Sequence, residues 1–121
     1  MKIMVDPAIK RKRLESALYE RLCEAIATLG DLELSELTLL GAELSKDRRD
    51  ATAIVDASGV AETSRPRLLG KLKKASGYLS RYVVAAEGWH RSPTLHFRFD
   101  SSLEGAARLD ELFARLHKDK L

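Results

Sequence analysis

The run Thr94-Leu95-His96-Phe97-Arg98-Phe99 alternates strictly between polar and apolar residues, and that period of two allows only a strand with one buried face. Leu95, Phe97 and Phe99 face a core, so His96 and Arg98 share the opposite side, either bare to solvent or beneath another element. One such strand cannot bury its apolar side alone. The rest of the chain must supply partner strands and a cover. Two stretches read as a paired hairpin: residues 36–44 (ELTLLGAEL) and the run Thr52-Ala53-Ile54-Val55-Asp56-Ala57. Between them, Ser45-Lys46-Asp47-Arg48-Arg49-Asp50 carries both signs of charge, as a solvated turn does.

The cover comes from segments with helical period. Asp6-Pro7 starts a helix, because Asp accepts from an orphan amide and Pro fixes the first helical φ. Leu14, Leu18, Leu22, Ala25, Ile26 and Leu29 then recur three or four apart until Gly30, which places a helix over residues 7–29. Cys23, the only cysteine, falls in this stretch and reads as a small core or near-core residue. After a loop at residues 59–64, Pro66 opens a second period through Leu68, Leu72, Ala75, Leu79 and Val83. Gly77 would cost about 1 kcal/mol inside a regular helix, so a kink or break is expected near Ala75-Ser76-Gly77. A last helix is expected over 102–118, from the capping pair Ser101 and Glu104 and the spacing of Leu103, Ala106, Leu109, Leu112, Phe113 and Leu116. The order helix, strand, strand, broken helix, strand, helix implies an α+β layer: a three-stranded sheet with helices on one face and the other face open.

At 121 residues, with 45% hydrophobic and 32% charged, the chain suits one domain spanning 1–121 with a single core. No apolar run of seven or more near the start makes a signal-peptide core, and no run approaches the about 20 residues of a membrane span, so a cytoplasmic protein is expected. The formal net charge is +3 but unevenly spread. Residues 62–100 hold eight Lys/Arg against three Asp/Glu, whereas residues 31–61 hold three against seven. A polyanion would meet the later segment. At 100° per residue, Arg67, Lys71, Lys74 and Arg81 fall within about 80° of one another, on an arc roughly 120° from the apolar stripe. Such cations repel one another in the free protein, and phosphate would relieve them. Lys10-Arg11-Lys12-Arg13 reads equally as a solvated face or a second phosphate contact.

Enzyme signatures are missing. There is no phosphate-cradling glycine loop, no GxSxG and no HExxH, and Cys23 with His90, His96 and His117 lacks zinc-ligand spacing. Cys23 with His96 is the nucleophile and base pair an enzyme reading would need. No metal, cofactor or small-molecule substrate is expected. Two binding readings stand: contact with structured RNA through the basic helical face, or a protein-interaction module docking through the open sheet face at His96 and Arg98. Trp89 in its polar link is either an anchor that stacks on a base or a lid over the core.

From Leu72 to Leu112 the chain resembles ribosome-binding factor A almost continuously, through LKKASGYLSRY and SPTLHFRFDSSLEGAARLDEL. The family's Ala-x-Gly turn stands here as Ala75-Ser76-Gly77, its Pro-x-Leu-x-Phe strand as Pro93-Thr94-Leu95-His96-Phe97, and its Asp-x-Ser-Leu helix start as Asp100-Ser101-Ser102-Leu103. Earlier, GAELSKDRRDATAIVDASG is similar to the family's second-strand region, and the first helix matches in its basic start and apolar spacing. The similarity covers about residues 10–116. It implies a KH-like domain of type II topology, with a helix-kink-helix where ordinary KH domains carry a GxxG loop, and an extra C-terminal helix. It also implies a monomeric factor that binds the small (30S) ribosomal subunit and its 16S rRNA, assists late rRNA processing and subunit maturation, and serves in cold adaptation. The residues expected on RNA are Arg67, Lys71, Lys74, Ser76, Gly77 and Arg81, with Lys10, Arg11, Arg13 and Arg91. Two segments depart from the family pattern and bear on RNA contact: Asp31-Leu32-Glu33, where Asp-Pro-Arg is common, and the link from Ala85 to Arg91, which is usually basic.

Overall fold

The structure, a computed structural model, describes residues 7–102. Helix α1 (Pro7–Thr28) leads through a single-turn helix α2 (Leu32–Ser35) into strands β1 (Leu39–Leu44) and β2 (Asp50–Asp56). A 3₁₀ turn (Glu62–Ser64) precedes the long helix α3 (Arg65–Glu87), and β3 (Thr94–Asp100) closes the sheet. The expected helix over 102–118 lies outside the described residues, apart from its first position.

The sheet order is β1-β2-β3, with β1 and β2 antiparallel and β2 and β3 parallel. A parallel neighbour requires a crossover, and α3 supplies it. Ala51, Ala53 and Val55 of β2 are buried with Leu95 of β3, while their even-numbered neighbours turn outward, so the alternation read from the sequence is the alternation of the sheet. A bulge at Leu40 shifts the register of β1 between Leu39 and Gly41. Against the inner face pack Leu18, Leu22, Ala25 and Ile26 of α1 and Leu68, Leu72, Leu79 and Val83 of α3. Each large side chain buried this way contributes roughly 1.5–3 kcal/mol.

The helices run antiparallel, as three ties between them show: Arg21 Nε donates to Glu87 Oε1 at 2.8 Å, Tyr82 lies on Glu24, and Thr28 pairs with Tyr78 at 2.7 Å. Ser80, one turn before the end of the apolar stripe, is buried and polar. Its hydroxyl pairs with Ser92 and donates to the Pro93 carbonyl at 2.7 Å, which fastens α3 to the entry of β3.

Two expectations need correction, and one element is added. Helix α3 runs from Arg65 to Glu87 without a break at Ala75-Ser76-Gly77. Gly77 is not among the positive-φ glycines, and a Cβ there would meet only the Arg81 guanidinium, at 3.4 Å. The stripe that buries Leu72 on one side and Leu79 and Val83 on the other outweighs the about 1 kcal/mol propensity cost of one glycine. Cys23 is exposed, not buried. It sits roughly 120° around α1 from the centre of the stripe formed by Leu18, Leu22, Ala25 and Ile26. The added element is α2, too short to show a period: Asp31 caps it by accepting from the Leu34 amide at 3.2 Å, and Leu34 is buried.

Candidate nucleic-acid interface

Along α3 the five core residues leave the opposite arc to Arg67, Lys71, Lys74 and Arg81, which spans about 21 Å at 1.5 Å per residue. The structure divides this arc in two. Arg67 and Lys71, at its start, lie beside α2 and are already paired. Both Arg67 Nη atoms lie 2.7 Å from the two Glu33 carboxylate oxygens, a bidentate fork, and Lys71 Nζ reaches Glu33 at 2.9 Å and Asp31 at 3.0 Å. The mutual repulsion expected of four bare cations is therefore absent from this half. Hydrogen bonds from Arg67 and then Lys71 pull the Glu33 carboxyl down to about 2, and the Lys71 ammonium with the Leu34 amide lowers that of Asp31. Glu33 and Asp31 in turn raise Lys71, and Glu33 raises Arg67. Asp31-Leu32-Glu33, singled out in the sequence as a departure, is thus an acidic clamp on half of the predicted face. Asp31 and Lys71 stand 40 positions apart, so spacing could not have revealed the pairing.

Lys74 and Arg81 are exposed and have no ionic partner among the described residues, and neither has Lys73, which sits farther round the helix. Gly77 lies between them, and the missing side chain leaves room for the Arg81 guanidinium over the helix. Ser76 points its hydroxyl back to the Lys73 carbonyl at 2.7 Å, so it is engaged within the helix.

The other predicted residues gather at the opposite end of the helix pair. Antiparallel packing sets the start of α1, with Lys10, Arg11 and Arg13, beside the link that follows α3, with Arg91. The β1–β2 turn joins them: Thr94 N donates to the Arg49 carbonyl at 2.8 Å, and Leu14, Leu44, Arg48, Trp89, Arg91 and Pro93 line one cavity of about 400 Å³. In the sequence Arg48 shows only the mixed charge of a solvated turn. The residues expected on RNA therefore form a clamped pair beside α2, a bare pair on the middle of α3, and a basic rim at the far end.

On the outer face of the sheet His96 Nε2 lies 2.9 Å from Asp50 Oδ1, and Arg98 lies 3.9 Å from Asp100. Cys23 is on α1, which covers the inner face; the sheet stands between it and His96, so the two do not form a nucleophile and base. Desolvation raises the Cys23 thiol pKa above its ordinary value.

A three-stranded sheet under two antiparallel helices, in KH-like element order and with its cations gathered on the long helix and the helix-pair end, defines a small cation-faced α+β module. The chain belongs to the ribosome-binding factor A family, whose profile matches residues 10–113. It is 39% identical over 112 residues to ribosome-binding factor A of Campylobacter jejuni, covering 93% of each chain. The crystal structure of the Thermus thermophilus factor superposes with a TM-score of 0.64 at 28% identity, covering 73% of this chain and 93% of that one. A Thermus thermophilus coordinate set fitted into the cryo-EM map of a complex between the 30S subunit and ribosome-binding factor A matches with a TM-score of 0.57 at 30% identity, covering 70% and 89%.

Proposed function

We propose that this protein binds the small (30S) ribosomal subunit through its 16S rRNA and assists late rRNA processing and subunit maturation, acting in the cytoplasm as a monomer and without catalysis of its own. Family membership together with the relative fitted on the 30S subunit favours the partner, and one observation favours the surface: Lys74 and Arg81 are exposed on α3 with no acidic partner among the described residues. Phosphate contacts need no reactive group, only cations held on a rigid element. A backbone that reached both the bare pair on α3 and the basic rim at the far end would meet phosphates in succession. Arg67 and Lys71 join only by exchanging a carboxylate for a phosphate.

Cosedimentation tests this reading. The wild-type chain should travel with free small subunits in preference to mature ribosomes, and Lys74→Glu with Arg81→Glu should abolish most of that association at moderate salt while the melting temperature stays put. Retention of binding by the double variant would remove α3 from the interface.

A further inference from the structure

The basic rim encloses a cavity of a kind that phosphate contacts alone do not require. Its volume of about 400 Å³ lies in the range of small-ligand sites, roughly 300–1,000 Å³. Leu14 of α1, Leu44 of β1, Trp89 and Pro93 supply an apolar lining, and Arg48 and Arg91 also line the cavity. Trp89 is half-buried: it packs against the core and also lines the cavity, so covering the core leaves part of the indole facing the cavity.

Charge narrows the ligand. Lys10 and Arg11 stand four and three positions before Leu14, on the same side of α1, and add to Arg48 and Arg91. The one carboxylate in the lining, Asp47, is spent within its turn, accepting from Ser45 Oγ at 2.6 Å and from the Arg49 amide at 3.1 Å. An apolar slot with an indole, ringed by cations, complements an anion that carries a flat aromatic group. Arg48 itself sits at φ 60°, a conformation that costs a side-chain-bearing residue roughly 1 kcal/mol and that glycine would adopt freely. What the turn gains from arginine there is its charge beside the cavity.

We infer that this cavity is a nucleobase site, in which one unpaired base of single-stranded RNA stacks on Trp89 while its flanking phosphates lie on Arg48, Arg91 and the start of α1. The inference rests on the RNA-binding reading and deepens it. Stacking of a splayed base on an aromatic ring is how single-stranded RNA is held when no duplex groove is read.

Trp89 is the only tryptophan of the chain, so its fluorescence reports the cavity directly. The full-length protein is titrated with a mixed-sequence single-stranded RNA and, separately, with an abasic ribose-phosphate strand of equal length, and total binding is followed by anisotropy of an end label. Quenching of Trp89 by the base-bearing strand but not the abasic one is expected, with tighter binding of the former. Trp89→Leu should weaken the base-bearing strand about 5- to 150-fold and the abasic strand little, and Trp89→Phe should recover most of the loss. The comparison of the two strands on the wild-type protein decides the matter even if a Trp89 variant folds poorly. Equal binding and equal fluorescence response for both strands would overturn the nucleobase site and leave the phosphate-binding reading intact. No binding of either strand would overturn both.

Discussion

The acidic clamp on Arg67 and Lys71 can be removed without dismantling the turn that carries it. Asp31→Asn retains a side-chain acceptor for the Leu34 amide, and Glu33→Gln retains length and shape, so α2 keeps its cap while the two carboxylates lose their charge. With the clamp in place, the arc of α3 offers Lys74 and Arg81, and its share of the slope of log affinity against log salt should be about −1.4 to −1.8, at 0.7 to 0.9 per contact. With all four cations bare, that share should steepen to about −2.8 to −3.6, the rim's share being common to both proteins, and affinity at 0.1 M salt should rise roughly 25- to 60-fold relative to the common limit near 1 M. Stability should hardly change, because these ion pairs are exposed. The assay is filter binding of small-subunit rRNA across a salt series, with Glu20→Gln plus Glu43→Gln as a control of equal charge change. Glu33 has its pKa lowered from the ordinary 4.5 to about 2, so its stabilising contribution is complete above about 4.5 and is lost only as pH falls through about 2. The clamp therefore stays closed at pH 5, and the difference between variant and parent should be the same there as at pH 7. A slope matching the parent, or a gain no larger than the control's, would show that Arg67 and Lys71 never reach phosphate.

Two further outcomes follow from the packing. Gly77→Ala should raise stability by about 0.5–1 kcal/mol and the melting temperature by about 2–5 °C in a calorimetric scan, since the glycine sits in a regular helix and its Cβ meets only a flexible guanidinium; a fall in melting temperature would reveal a conformational need at that position. Ser80→Ala should cost about 1–3 kcal/mol by leaving the Pro93 carbonyl and the Ser92 hydroxyl without their partner, measured by urea denaturation, and an unchanged midpoint would mean that solvent replaces the hydroxyl.

The sequence made some elements plain and hid others for definable reasons. Residues 94–99 and the stripes of α1 and α3 were legible because a local period records which side is buried. Strand β2 begins at Asp50 rather than Thr52 because its ends are fixed by pairing with Thr94 and by His96, which no local pattern records. Gly77 misled because propensity is local and the packing that overrides it is not. Cys23 misled because it neighbours the stripe in sequence while lying well around the helix from it. At the candidate site the residue types were visible, but their division into a clamped pair, a bare pair and a distant rim depends on contacts between α2 and α3 and between the β1–β2 turn and the link before β3. Arg48 carried no signal of its own.

The parallel pairing of β3 with β2 sets an order of assembly. Strands β1 and β2 can zip through their short turn as soon as both exist, but β3 reaches β2 only after α3 has been made and folded across the sheet, a long loop closure that is slow relative to hairpin formation. The link carrying Trp89 and Arg91 is held against the β1–β2 turn by the first rung of that pairing, Thr94 on Arg49. A chain still being synthesised therefore lacks the cavity and its complete cationic rim, however much of the basic sequence it already carries, and a truncation before β3 should retain charge without retaining the site.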